Sequence, residues 1–183
     1  MSRKYKKYNQ IIIGVDQSYT RTGISIAADG KLLKVSSIAF RGHRSKSDKR
    51  KALSGMIRRI LSLNASKAHS VRLICERIRT FSYAGKGRDG KGKSFLNINY
   101  IKCTGALIAT LVDVSAEFGI EVYSVDTRSW KSKIVGTSKG GKEPTLKYVK
   151  SIGFDCGKND DAADSACIAL YGFHPKAILK KEE

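Results

Sequence analysis

Acids are scarce in this chain. Sixteen Asp and Glu stand against 35 Lys and Arg, a formal net charge of +19 that exceeds what solubility needs and implies a polyanionic partner. No apolar run is long enough to span a membrane, no signal peptide is read at the start, and no single basic amphipathic helix marks a membrane-surface protein. Nucleic acid is therefore the expected polyanion, and no membrane partner is expected. Zinc and disulfide patterns are missing as well. Cys75, Cys103, Cys156 and Cys167 have no CxxC spacing and three of them sit in apolar runs, which suits reduced core thiols in a cytoplasmic or similarly reducing compartment. His43, His69 and His174 share no ligand spacing, and no Ser/His/Asp hydrolase motif is found.

What is present suffices for one globular domain over residues 1–183, 41% hydrophobic, with a basic leader at 1–10 and a short charged tail at 175–183. "IIIGVD", ending at Asp16, reads as a short buried strand. "GISIAA", the turn signal at Asp29 and Gly30, and "KLLKVSSIAF" extend it as an antiparallel meander. Cations crowd 41–51, after which Leu53, Met56, Ile57, Ile60 and Leu61 recur at helical spacing. "VRLICE", ending at Glu76, is a second buried run, expected parallel to the first. Residues 77–94 interleave Gly85, Gly87, Gly90 and Gly92 with cations and read as a mobile basic loop.

A long apolar helix is expected from about Leu96 to Phe118, then a fifth strand at "EVYSV". A short helix capped by Asp126 or Thr127 should carry Trp130, Lys131 and Lys133 and stop at Gly136. After the Gly-Lys loop "TSKGGKEP", a short helix closes at Gly153, and a last helix starts near Asp160 or Asp161. The order predicts an α/β domain with a five-stranded mixed sheet, three antiparallel strands and two further parallel ones, flanked by helices. That is the order of the ribonuclease H-like fold.

With so few acids, elimination is practicable. Asp29, Asp48, Asp89, Glu182 and Glu183 fall in turns, basic loops or the tail; Asp113, Glu117, Glu121 and Glu143 on helix faces or element ends; Asp126 and Asp155 at caps or turns. Asp16, Glu76, Asp160, Asp161 and Asp164 remain. Asp16 and Glu76 each end a buried strand, where open α/β sheets place their ligands, and Asp161 and Asp164 share one helix face. Singly, each is more often a helix cap or a strand-end acid meeting a nearby arginine, a reading that is weaker for Asp164, one turn into its helix. Four converging carboxylates repel and raise one another's pKa unless cations neutralise them. Hard oxygen ligands select Mg²⁺, with Mn²⁺ able to substitute, and two such ions about 4 Å apart suit in-line displacement at a phosphodiester.

"IIIGVDQSYTRTGISI", "LICERI" and "DDAADSACIAL" resemble the catalytic motifs of the RuvC family of Holliday junction resolvases, most of all its phage branch, over residues 10–172. The resemblance implies a Mg²⁺-dependent homodimeric endonuclease that nicks four-way DNA junctions symmetrically. It implies Asp16, Glu76, Asp161 and Asp164 as ligands of two ions, with Asp160 the alternative in register. "YSVDTRSWKSKIVG" resembles the segment preceding the family's active-site lysines, which assigns Lys131 and Lys142 to catalysis and Lys133 and Lys139 to DNA. The 77–94 loop supplies Arg77, Arg79, Lys86, Arg88, Lys91 and Lys93 as phosphate contacts, joined by Lys102, and Phe81 and Tyr83 as candidate wedges at the junction. This loop is longer and richer in Gly and Lys than a bacterial member's.

Other functions account for less. An architectural DNA-binding protein explains the charge but not the carboxylates. "GVDQSYTRTGISI" also resembles the first phosphate loop of actin-like kinases, which need two such domains, so no nucleotide cofactor is expected. A ribonuclease H-like nuclease acting on forks, flaps or RNA shares the same motifs.

Overall fold

Three isoleucines in succession signal a strand covered on both faces, and the first strand, β1 (Tyr8–Asp16), is buried on both. Ile11, Ile13 and Val15 enter one hydrophobic core while Ile12 enters another, as the two-residue period of a strand requires. This is a computed structural model, and it describes residues 8–40, 42, 45–78, 82–86, 92–96, 98–139 and 141–182, with the backbone alone at 82–86, 92–96 and 99.

β2 (Arg21–Ala28) and β3 (Lys31–Ala39) complete the antiparallel meander. Their connection puts Asp29 at φ 47° and Gly30 at φ 80°, the left-handed pair that a two-residue hairpin turn demands. The Asp29 carboxylate accepts from the backbone of Gln10 at 2.9 Å. Helix α1 (Lys46–Asn64) begins in a capping box in which Ser45 and Asp48 satisfy each other's backbone N–H groups. Asp48, expected in a solvated loop, is therefore the first-turn acid of a helix. β4 (Ala68–Glu76) returns parallel to β1, Val15 pairing with Cys75.

The 77–94 segment departs from the expected loop. β5 (Ser82–Lys86) and β6 (Gly92–Leu96) form an antiparallel hairpin in which Tyr83 and Phe95 are register partners. Aromatic residues opposite one another favour such pairing, a signal hidden beneath the glycine and lysine content. Helix α2 (Ile98–Ala116) lies within the predicted span. It packs with α1 over the Ile11, Ile13 and Leu73 face of the sheet, to which it contributes Leu107 and Leu111. β7 (Val122–Val125) is parallel to β4.

The final stretch is helical. α3 (Thr127–Trp130), capped by the Asp126 side chain, runs into a wider π-helical turn over Lys131–Val135 that stops at Gly136, φ 82°. α4 (Glu143–Ser151) and α5 (Asp160–Tyr171) cover the other sheet face with Trp130, Ile12, Ile74 and Val125. A further strand, β8 (Lys180–Lys181), pairs antiparallel with β7, so the mixed sheet has six strands in the order β3-β2-β1-β4-β7-β8 instead of five. Two residues are too few to show alternation in a sequence. The predicted tail is thus partly sheet, and Glu182 within it accepts from the Ser124 hydroxyl and donates its N–H to the Val122 carbonyl at 2.9 Å.

Candidate active site

Parity along the strands decides where the acids point. Asp16 follows Ile12 and Gly14 at two-residue steps, and Glu76 follows Ile74, so both carboxylates leave the sheet on the face covered by α5. They lie one residue beyond the Val15–Cys75 and at the Glu76–Val125 pairings, at the C-terminal ends of adjacent parallel strands. The α5 acids arrive there because small residues permit it. A Cβ on Gly14 would stand 2.2 Å from the Ser165 carbonyl oxygen, and one on Gly23, the partner of Asp16 across β1 and β2, would stand 1.8 Å from that of Asp161. Ser25 and Ser165 seal the same contact with a 2.7 Å hydrogen bond.

Asn159, rather than either aspartate, caps α5. Its side-chain oxygen accepts from Ala162 N at 3.2 Å, and its Nδ2 donates to Ser37 Oγ at 2.8 Å, fixing the helix start to β3. Asp160 and Asp161 are released from capping and occupy the first turn, with Asp164 one turn later.

The field in this cluster is unfavourable for charge. Burial, then Glu76, Asp164, Asp161 and Asp160, holds the Asp16 carboxyl well above the usual carboxylate range. Burial pushes Asp164 up to about 6 against the opposing pull of Lys131. Asp161 is raised by burial and by Asp160, while Arg21 and Lys142 offset part of this. Asp164 Oδ1 is buried and has no hydrogen-bond partner among the described residues. The nearby Thr145 hydroxyl favours the charged carboxylate, yet its geometry is not that of a hydrogen bond.

Glu76 is anchored instead. The Thr127 hydroxyl donates to one of its carboxylate oxygens and Trp130 Nε1 to the other at 3.3 Å. Gln17 holds its backbone from both sides, donating to the Glu76 carbonyl and accepting from its N–H at 3.2 Å. Trp130 is fully buried, a core residue with one polar tip at the site.

Two predicted lysines reach this cluster. Lys131 Nζ stands 3.8 Å from Asp164 Oδ2, and Lys142 Nζ pairs with Asp160. Lys142 is held above its ordinary pKa, chiefly by that pair. Arg77 goes elsewhere, to the opposite sheet face, where its Nε donates to Ser124 Oγ at 3.4 Å. Lys102, Lys133 and Lys139 are exposed. Tyr83, Lys86 and Lys93 lie on the β5–β6 hairpin, whereas Arg79, Phe81, Arg88 and Lys91 lie outside the described residues. The sequence reading missed Gln17, Thr127, Arg21 and the Trp130 link to Glu76. Only the adjacency of Gln17 to Asp16 offered a signal.

The donor set suits a hard divalent cation: clustered carboxylate oxygens, raised carboxyl pKa values and one orphaned buried oxygen. Among the described residues no three such side chains already form a coordination shell.

No family model and no curated protein matches the sequence. Solved structures do match. The chain superposes on Thermus thermophilus RuvC in complex with a Holliday junction substrate with a TM-score of 0.70 at 15% identity, covering 94% of this chain and 99% of that one. A second Thermus thermophilus RuvC structure gives 0.65 at 17% identity, with the same coverage. The yeast mitochondrial Holliday junction resolvase Ydc2 gives 0.56 at 12% identity, covering 92% and 79%. The chain thus shares the fold of these three structures.

Proposed function

We propose that this protein is a metal-dependent endonuclease that resolves four-way DNA junctions by paired nicks. The observation that carries the reading is the meeting of Asp16, Glu76 and the α5 acids at the strand ends of a RuvC-like fold with a charge of +19. Asp16, Glu76, Asp161 and Asp164 would hold Mg²⁺, or Mn²⁺ in its place, with two ions per site. Bound there, the ions would neutralise the carboxylates and polarise the scissile phosphate.

The protein's own residues prepare the rest. In hydrolysis a water oxygen bonds to phosphorus and the bond to the 3′ oxygen breaks, leaving a 5′ phosphate and a 3′ hydroxyl. Thr127, Trp130 and Gln17 hold Glu76 in one orientation, so its carboxylate loses little freedom on loading. Lys131, beside Asp164, places positive charge next to the reacting phosphate. Lys142, largely exposed beyond its pair with Asp160, can exchange that carboxylate for DNA phosphate. Thermus RuvC is seen with a junction, which supports branched DNA as the substrate here. A homodimer would set two sites across a two-fold axis matching the junction's symmetry. The motif likeness favours a phage-type member working in a reducing cytoplasm, a compartment with which the four free cysteines agree.

Asp164→Asn tests this. The variant should lose junction cleavage by at least about 10³-fold and bind junction in EDTA as tightly as wild type or tighter, a negative charge beside phosphate being gone. Cleavage at the wild-type rate would refute the site.

A further inference from the structure

Alongside Asp160 and Asp161 runs a groove of about 530 Å³, bounded also by Ser18, Thr20, Arg21, Phe40, Lys49 and Lys142. The carboxylate chemistry makes no use of Lys49. This α1 residue is only 8% exposed, yet among the described residues no carboxylate pairs with it. Its Nζ donates to the Tyr19 carbonyl at 3.0 Å and lies 3.3 Å from the centroid of the Tyr19 ring. One carbonyl and one ring face satisfy a fraction of an ammonium's three donors. A buried cation left with donors to spare costs stability unless a ligand uses them. Arg21, on the same groove, reaches Asp161 electrostatically and enters no ion pair among the described residues.

We propose that this groove seats a non-scissile phosphodiester of the substrate strand, with Lys49 as its buried anchor and Arg21 as a second contact. The inference rests on the nuclease reading above. It adds the path by which the strand approaches the carboxylates. The volume falls in the range that encloses a small ligand, enough for a short piece of sugar-phosphate backbone. Asp160 and Asp161 along the groove would repel a free dianion. A monoanionic phosphodiester gripped from the Lys49 side suffers less.

The test is junction binding in EDTA, followed across ~50 to ~300 mM salt, for wild type, Lys49→Met and Arg21→Gln. Each variant should flatten the slope of log K against log salt by about one, and Lys49→Met should weaken binding about tenfold at ~150 mM salt. A packing role would leave the slope unchanged, so folded Lys49→Met with the wild-type slope overturns the proposal. Should Lys49→Met not fold, Arg21→Gln decides by the same criterion. Wild-type protein that binds no DNA would sink the nuclease reading itself, whereas normal wild-type binding with both variants unchanged sinks only this groove.

Discussion

Asp16 carries the sharpest conflict at the residue scale. Burial and four neighbouring acids all hold its carboxyl toward the protonated form, and no described cation relieves it. Asp164 is pushed up to about 6, against about 3.9 in an unfolded chain. A raised carboxyl binds its proton more tightly in the folded state, so metal-free stability falls as pH rises through about 6. The loss is complete above the folded values and vanishes below the unfolded one. In EDTA, wild-type Tm should therefore drop between pH 5 and 7.5. Asp16→Asn should raise the pH 7.5 value by about 2–4 °C, on the order of 1 kcal/mol for a chain of this size. Mg²⁺ should restore wild-type Tm and leave Asp16→Asn nearly unmoved. Equal Mg²⁺ shifts in the two proteins would argue that Asp16 does not face the ion.

At the scale of elements, α5 must lie on the sheet for the acids to meet, and Gly14 and Gly23 set that distance. Gly23→Ala would drive a methyl group into the Asp161 carbonyl, so the helix start must lift. Destabilisation of about 1–3 kcal/mol is expected from overpacking. The variant's Mg²⁺-induced Tm shift should shrink as well; a folded variant with a full shift would show that the helix start is not what assembles the site. This contact also marks what the sequence made legible. Asp16, Glu76, Asp161 and Asp164 could be read because each sits at the end of an apolar run or at a helical step. Gln17, Thr127 and Trp130 could not, because their pairing with Glu76 spans 51 to 59 residues and follows from the parallel register of β1, β4 and β7. The β5–β6 hairpin was obscured by composition, and two-residue β8 by its brevity.

Across the whole molecule, both faces of the sheet carry an apolar core, and one of them also carries the acids at its strand ends. α1 and α2 close one face over a continuous apolar core, and α5 brings its acids to the strand ends on the other. The chain's net charge of +19 is suited to drawing in a phosphate backbone. The most direct test is cleavage of end-labelled four-way junction, fork, linear duplex and RNA/DNA hybrid at moderate salt, with Mg²⁺ or EDTA. Symmetric paired nicks in the junction that depend on Mg²⁺ are the expected result. Shape-selective binding with no Mg²⁺-dependent cleavage of any substrate would contradict the account and return the carboxylates to a structural role.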